Sequence, residues 1–140
     1  MLRCDPNFLK LRGRQLLTRE WWDRRRADFR LVASSLVILK AGRGDAGAAK
    51  VRLDLVQALD LLELDDGARV LAHTLVSPGA IPAKAADDAL HIALCAVHAV
   101  PYLLTWNFRH IANAEIRLKL GYLCASSGYQ LPVICTPEEL

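Results

Sequence analysis

No apolar stretch in this chain approaches the roughly 18 residues that a membrane-spanning helix needs. The opening MLRCDPNFLKLRGR also lacks the apolar core of a secretory signal. Both absences argue against a membrane or exported protein and lead us to expect a cytoplasmic one. Cysteine is sparse and scattered. Cys4, Cys95, Cys124 and Cys135 include no C-x-x-C pair, so they read as reduced, mostly buried thiols, with disulfides as the alternative. There are no internal repeats and no low-complexity segments. Nor is there a strong excess of charge. A net +3 and a pI near 8.8 permit an anionic partner without demanding one. What remains is a chain of 140 residues, 53% hydrophobic and 24% charged, long enough for one domain with a proper core.

Short apolar runs alternate with helical stretches, which favours parallel β-α units in an α/β fold. Gln15 to Arg26 reads as a helix with Leu16, Leu17 and Trp21 on its apolar side. The run Arg24-Arg25-Arg26 beside Trp22 suits a nucleic-acid backbone; a solvated helix end that favours cations is the alternative. Phe29 to Ala33 is expected as a strand, and Ser34 or Ser35 can cap the next helix. Leu36 to Gly42 is an apolar run interrupted by Lys40. Gly42-Arg43-Gly44-Asp45 is a loop without the Lys-Ser/Thr of a phosphate loop. Ala46 to Leu59 is expected as a helix, Leu61 to Leu64 as a strand, and Gly67 to about Leu75 as a helix. Ala114 to about Ser127 is another helix, closed by Gly128, and Pro132 to Cys135 is a last strand.

The centre of the chain is Lys84 to His110, KAADDALHIALCAVHAVPYLLTWNFRH. Ala85 to about Ala99 has a broad apolar helical face. Pro101 ends it, and Tyr102-Leu103-Leu104 reads as a strand whose carboxyl end carries Thr105, Trp106 and Asn107. In open α/β sheets ligands sit at that end. Asp87 and Asp88 fall in the helix's first turn, where carboxylates also favour the helix dipole. Asp88, His91, Cys95 and His98 form a polar stripe that invites a zinc reading. At 1.5 Å per residue, however, its ends lie about 15 Å apart, too far to share an ion.

An acid-acid-Ala-Leu-His helix followed by a strand closing on Leu-Thr-Trp-Asn resembles the PIN-domain family, in particular VapC-like toxins. LTREWWDRRRADF, RHIANAEIR and GYQLPVICTPEEL extend the resemblance from about Leu16 to Leu140. It implies a PIN-like three-layer α/β/α domain over residues 1–140 with a short parallel sheet. It also implies Mg²⁺- or Mn²⁺-dependent endoribonuclease activity from clustered acidic side chains. The implied partners are RNA and an antitoxin protein, and a homodimer is expected. Carried over, the resemblance makes Asp88, Asn107 and Thr105 the catalytic group. Asp88 and Asn107 are the metal ligands, with Asp87 auxiliary.

Two family features are altered. The first strand, which should end in an acid followed by Thr or Ser, is represented only by Leu2-Arg3-Cys4-Asp5, with Pro6 next. Residues 1–14 therefore read as an atypical segment, with Asp5 as the stand-in for the first ligand. The first central strand is then missing or atypical, through truncation, replacement or a mis-assigned start. The family's second acid, a Glu, is replaced by Lys40. A cation about 5 Å from a divalent ion is repelled by roughly 7 kcal/mol at an effective dielectric of 20, before screening. The expectation is thus a PIN-like ribonuclease with an impaired acidic site. The alternatives are a catalytically inactive PIN fold that binds an antitoxin or RNA, and an unrelated α/β interaction module.

Overall fold

The computed structural model describes residues 19–77, 80–105 and 113–140, the side chain of Lys40 excepted. They gather into two units. The first takes in residues 19–62, Leu104, Thr105 and Cys135–Leu140; the second takes in Glu63–Leu103 and residues 113–134. The mixture of helices with short parallel strands is the α/β type that the alternating pattern implied.

In the first unit, residues 19–24 are helical and run into a 3-10 turn at Arg26–Asp28. Strand β1 (Val32–Ser34) comes next, then helices α1 (Ser35–Ala41) and α2 (Ala46–Gln57), then β2 (Asp60–Leu62). β1 and β2 pair in parallel, with Val32 opposite Asp60, Ala33 opposite Leu61 and Ser34 opposite Leu62. β1 starts three residues later than the apolar run Phe29–Ala33 suggests. Main-chain bonds from Asp28 N to Arg25 O and from Phe29 N to Arg26 O first close the turn. The Phe29 ring is then committed to Trp21, stacked with centroids 5.8 Å apart. Around them Trp21, Leu104 and Cys135 form a buried cluster, covered by Trp22, Phe29, Leu31 and Leu140.

The Gly-Arg-Gly-Asp loop has a local structural role. Gly44 takes a left-handed φ of 87°, which glycine adopts without steric cost. The Asp45 carboxylate accepts from Ala48 N at 3.0 Å and caps α2. From α2, Arg52 donates back to the carbonyls of Ala41 and Arg43, at 3.2 and 2.6 Å.

The second unit is mainly helical. Helix α3 (Asp66–Val76) buries Ala68, Leu71, Ala72 and Leu75, the i, i+3, i+4, i+7 spacing of an amphipathic helix. It packs on α4 (Ala86–Val97) and on α5 (Ala114–Ser126). α4 is buried at Asp88, Ala89 and every position from His91 to Ala96, as expected of a helix inside a core rather than on one. Ile81, Ile92, Leu94, Leu120 and Cys124 complete that core. Both ends of α5 obey local rules. Asn113 caps its start by accepting from Glu115 N. At its other end Tyr129 N donates to Cys124 O and Gly128 N to Ala125 O, a Schellman closure with Gly128 at φ 85°.

Strand β3 (Tyr102–Leu104) spans the residues expected from sequence and pairs with β4 (Val133–Cys135). Val133 N donates to Pro101 O at 2.8 Å and Thr105 N to Cys135 O at 2.9 Å. Both bonds advance in the same direction along the two strands, the parallel pattern.

Candidate functional site

The first turn of α4 separates two adjacent carboxylates. Asp88 is buried, 5% exposed, while Asp87 faces solvent. Successive helical residues point about 100° apart, so the packed side of α4 takes Asp88 with it and leaves Asp87 outside. Among the described residues Asp88 is the one buried acid. A buried carboxylate is costly unless it is hydrogen-bonded or paired. Asp88 is engaged in a polar interaction within the protein, and its place in the first turn adds favourable amide dipoles.

Thr105, the residue after β3, is also buried at 5% exposure, and its main-chain N–H is held by Cys135 O. It belongs to the first unit and Asp88 to the second. Asn107 and Asp5 lie outside the described residues. Lys40 occupies the last turn of α1, and its side chain lies outside them as well. Ser34, which the sequence suggested only as a cap, is fully buried at the end of β1. A small hydroxyl after two apolar strand residues was the only available signal.

The stripe below Asp88 resolves into separate roles. His91 and Cys95 are buried. Burial pushes the Cys95 thiol from 9.0 up to about 11 and raises that of Cys124 as well. Both are therefore protonated at neutral pH, and the thiolate is the form that attacks or binds metal. His98 is turned to the main chain: its Nε2 lies 2.9 Å from Glu63 O and 3.8 Å from the Asp65 carboxylate. Among the described residues no three His, Cys, Asp or Glu side chains gather as a metal ion would need.

The arginine run is brought together with two aromatic rings in the first unit. The Arg26 guanidinium lies 4.6 Å above the Trp22 ring, and that of Arg25 5.9 Å from the Phe29 centroid. Arg25 also pairs with Asp28 at 3.4 Å. Arg24, Arg25 and Arg26 are all exposed. The four-residue spacing of Trp22 and Arg26 was the sequence signal for their stacking.

No family model matches the chain, and no curated protein or solved structure matches it. Among the described residues no helix is long and apolar enough to cross a membrane.

Proposed function

We propose that this chain is a PIN-like protein of the metal-dependent endoribonuclease type, with an impaired acidic site. The observation that supports it most is the burial of Asp88 beside an exposed Asp87, on the helix that precedes β3. A helix-borne carboxylate held inward is costly as decoration and useful as a ligand. The parallel pairing of β1 with β2 across two helices supports the β-α units that this reading requires.

A hard divalent cation takes several oxygen ligands. The described residues offer one buried carboxylate, which is too few for a working site. Asp5 and Asn107, with Asp87 auxiliary, are the residues on which a complete Mg²⁺ or Mn²⁺ site depends. When bound, such an ion neutralises a scissile phosphate and activates water. The chain's own contribution would be the Asp88 carboxylate, to which the resemblance adds the Thr105 hydroxyl as a hydrogen-bonding group. RNA is the substrate of this reading, an antitoxin its protein partner and a homodimer its assembly.

A second reading, in which the fold and its partners are retained but cleavage is lost, is favoured by Lys40 at the position where the family has Glu. Titration calorimetry with Mn²⁺ and an RNA cleavage assay at millimolar Mn²⁺ separate the two. Binding that disappears in Asp88→Asn, with slow cleavage improved by Lys40→Glu, supports the ribonuclease. Neither binding nor cleavage in the wild type, with both appearing in Lys40→Glu, supports the second reading. Mn²⁺ affinity indifferent to both substitutions overturns the placement of the site.

A further inference from the structure

The turn at Trp22–Arg26 differs from an ordinary solvated helix end in how firmly it is held. Trp21 is buried and stacked on Phe29. Main-chain bonds from Arg25 N to Trp21 O, Asp28 N to Arg25 O and Phe29 N to Arg26 O close the backbone around the arginines. Between Arg19 and Arg30 the chain places five arginines against three acids. Two of those arginines have carboxylate partners, Arg25 with Asp28 and Arg30 with Asp60. Arg24 and Arg26 have none among the described residues. Arg26 instead lies over the half-buried Trp22 ring, which orders its stem and leaves its N–H donors available. Guanidinium donors match phosphate oxygens, and an aromatic–guanidinium pair is a platform on which a nucleobase stacks.

We propose that this turn is a binding site for single-stranded nucleic acid. Arg24 and Arg26 take successive phosphates, and a base stacks on the Trp22–Arg26 pair. The site uses neither Asp88 nor a metal ion, so it stands or falls independently of the ribonuclease reading. An acidic peptide is the competing occupant. The flat stacked pair argues against it, because Asp and Glu side chains have no aromatic face to lay on it.

The test is fluorescence anisotropy of the full chain with a labelled RNA single strand of about 12 nucleotides, at low salt and in EDTA. Arg24→Glu combined with Arg26→Glu is expected to raise Kd at least about tenfold and to lower the slope of log K against log salt by about 1.4, two phosphate contacts' worth. Arg26→Lys keeps the charge and loses the planar fork. It is expected to keep the slope while weakening binding several-fold. If the double variant melts early, Arg24→Gln carries the test with an expected several-fold loss and a slope lowered by about 0.7. Unchanged affinity in the charge variants overturns the proposal. So does wild-type affinity in Arg26→Lys, or displacement of the strand by polyglutamate as readily as by unlabelled RNA. Equal competition by single-stranded DNA supports it, since phosphates and base faces are common to both.

Discussion

His98 Nε2 sits 2.9 Å from the main-chain oxygen of Glu63, a residue 35 positions earlier. A carbonyl only accepts, so this nitrogen carries the proton and donates. The bond fastens the end of α4 to the segment that enters α3, where Asp65 is the cap. His98→Ala is expected to lower unfolding free energy by about 1 kcal/mol, measured by urea denaturation. A loss under a few tenths would mean that the bond is not formed in solution.

The same helix ends on Ala99 with φ of 54°. Val100 N donates to Cys95 O and Ala99 N to Ala96 O, so Ala99 holds the position that glycine usually fills in a Schellman closure. A left-handed non-glycine residue costs roughly 1–2 kcal/mol, part of which is offset by glycine's greater freedom when unfolded. Ala99→Gly is therefore expected to raise stability by about 0.5–1 kcal/mol, seen as a higher melting temperature. A lower one would count against this backbone conformation.

Asp45 and Asp65 make equivalent caps, each accepting from the N–H three residues on, at 3.0 and 2.8 Å. Alanine at either position is expected to cost about 1 kcal/mol, and asparagine almost nothing. The two losses should add, because the caps serve different helices and share no partner. Chemical denaturation of the four single variants and of the Asp45→Ala/Asp65→Ala double variant checks this.

Leu71 is fully buried on α3 against α4. Leu71→Ala is expected to cost about 2–5 kcal/mol. Val70, its neighbour, is 67% exposed, and Val70→Ala should fall within about 0.5 kcal/mol of wild type. Equal effects at the two positions would mean that α3 is rotated from the described packing.

Burial raises the Cys95 thiol from 9.0 to about 11. The unfolded chain therefore gives up this proton first as pH rises. The associated stability is complete below pH 9 and is lost between about 9 and 11, to a total of about 2–3 kcal/mol. Urea midpoints measured from pH 8 to 11 should fall more steeply for the wild type than for Cys95→Ala. Parallel curves would show that the thiol is open to solvent.

Helices and their ends were largely legible in the sequence. The spans of α2, α3 and α5 and the Gly128 stop follow from residues within one or two turns of each feature. The Asp45 and Asp65 caps are just as local, but an acid in a loop does not announce which N–H it will accept from. β3 was legible too, because Pro101 and the polar Thr105 bracket three apolar residues. β1 was misplaced because Phe29 looks like a strand residue until Trp21 is available to stack on it.

The order of residues by itself determined where helices start and stop, since capping and amphipathic spacing are local interactions written into adjacent positions. Only the tertiary structure decided which of two neighbouring aspartates is buried, which arginine lies on a tryptophan and where His98 finds its acceptor. Those outcomes depend on what packs against each face, and residues distant along the chain supply that surface.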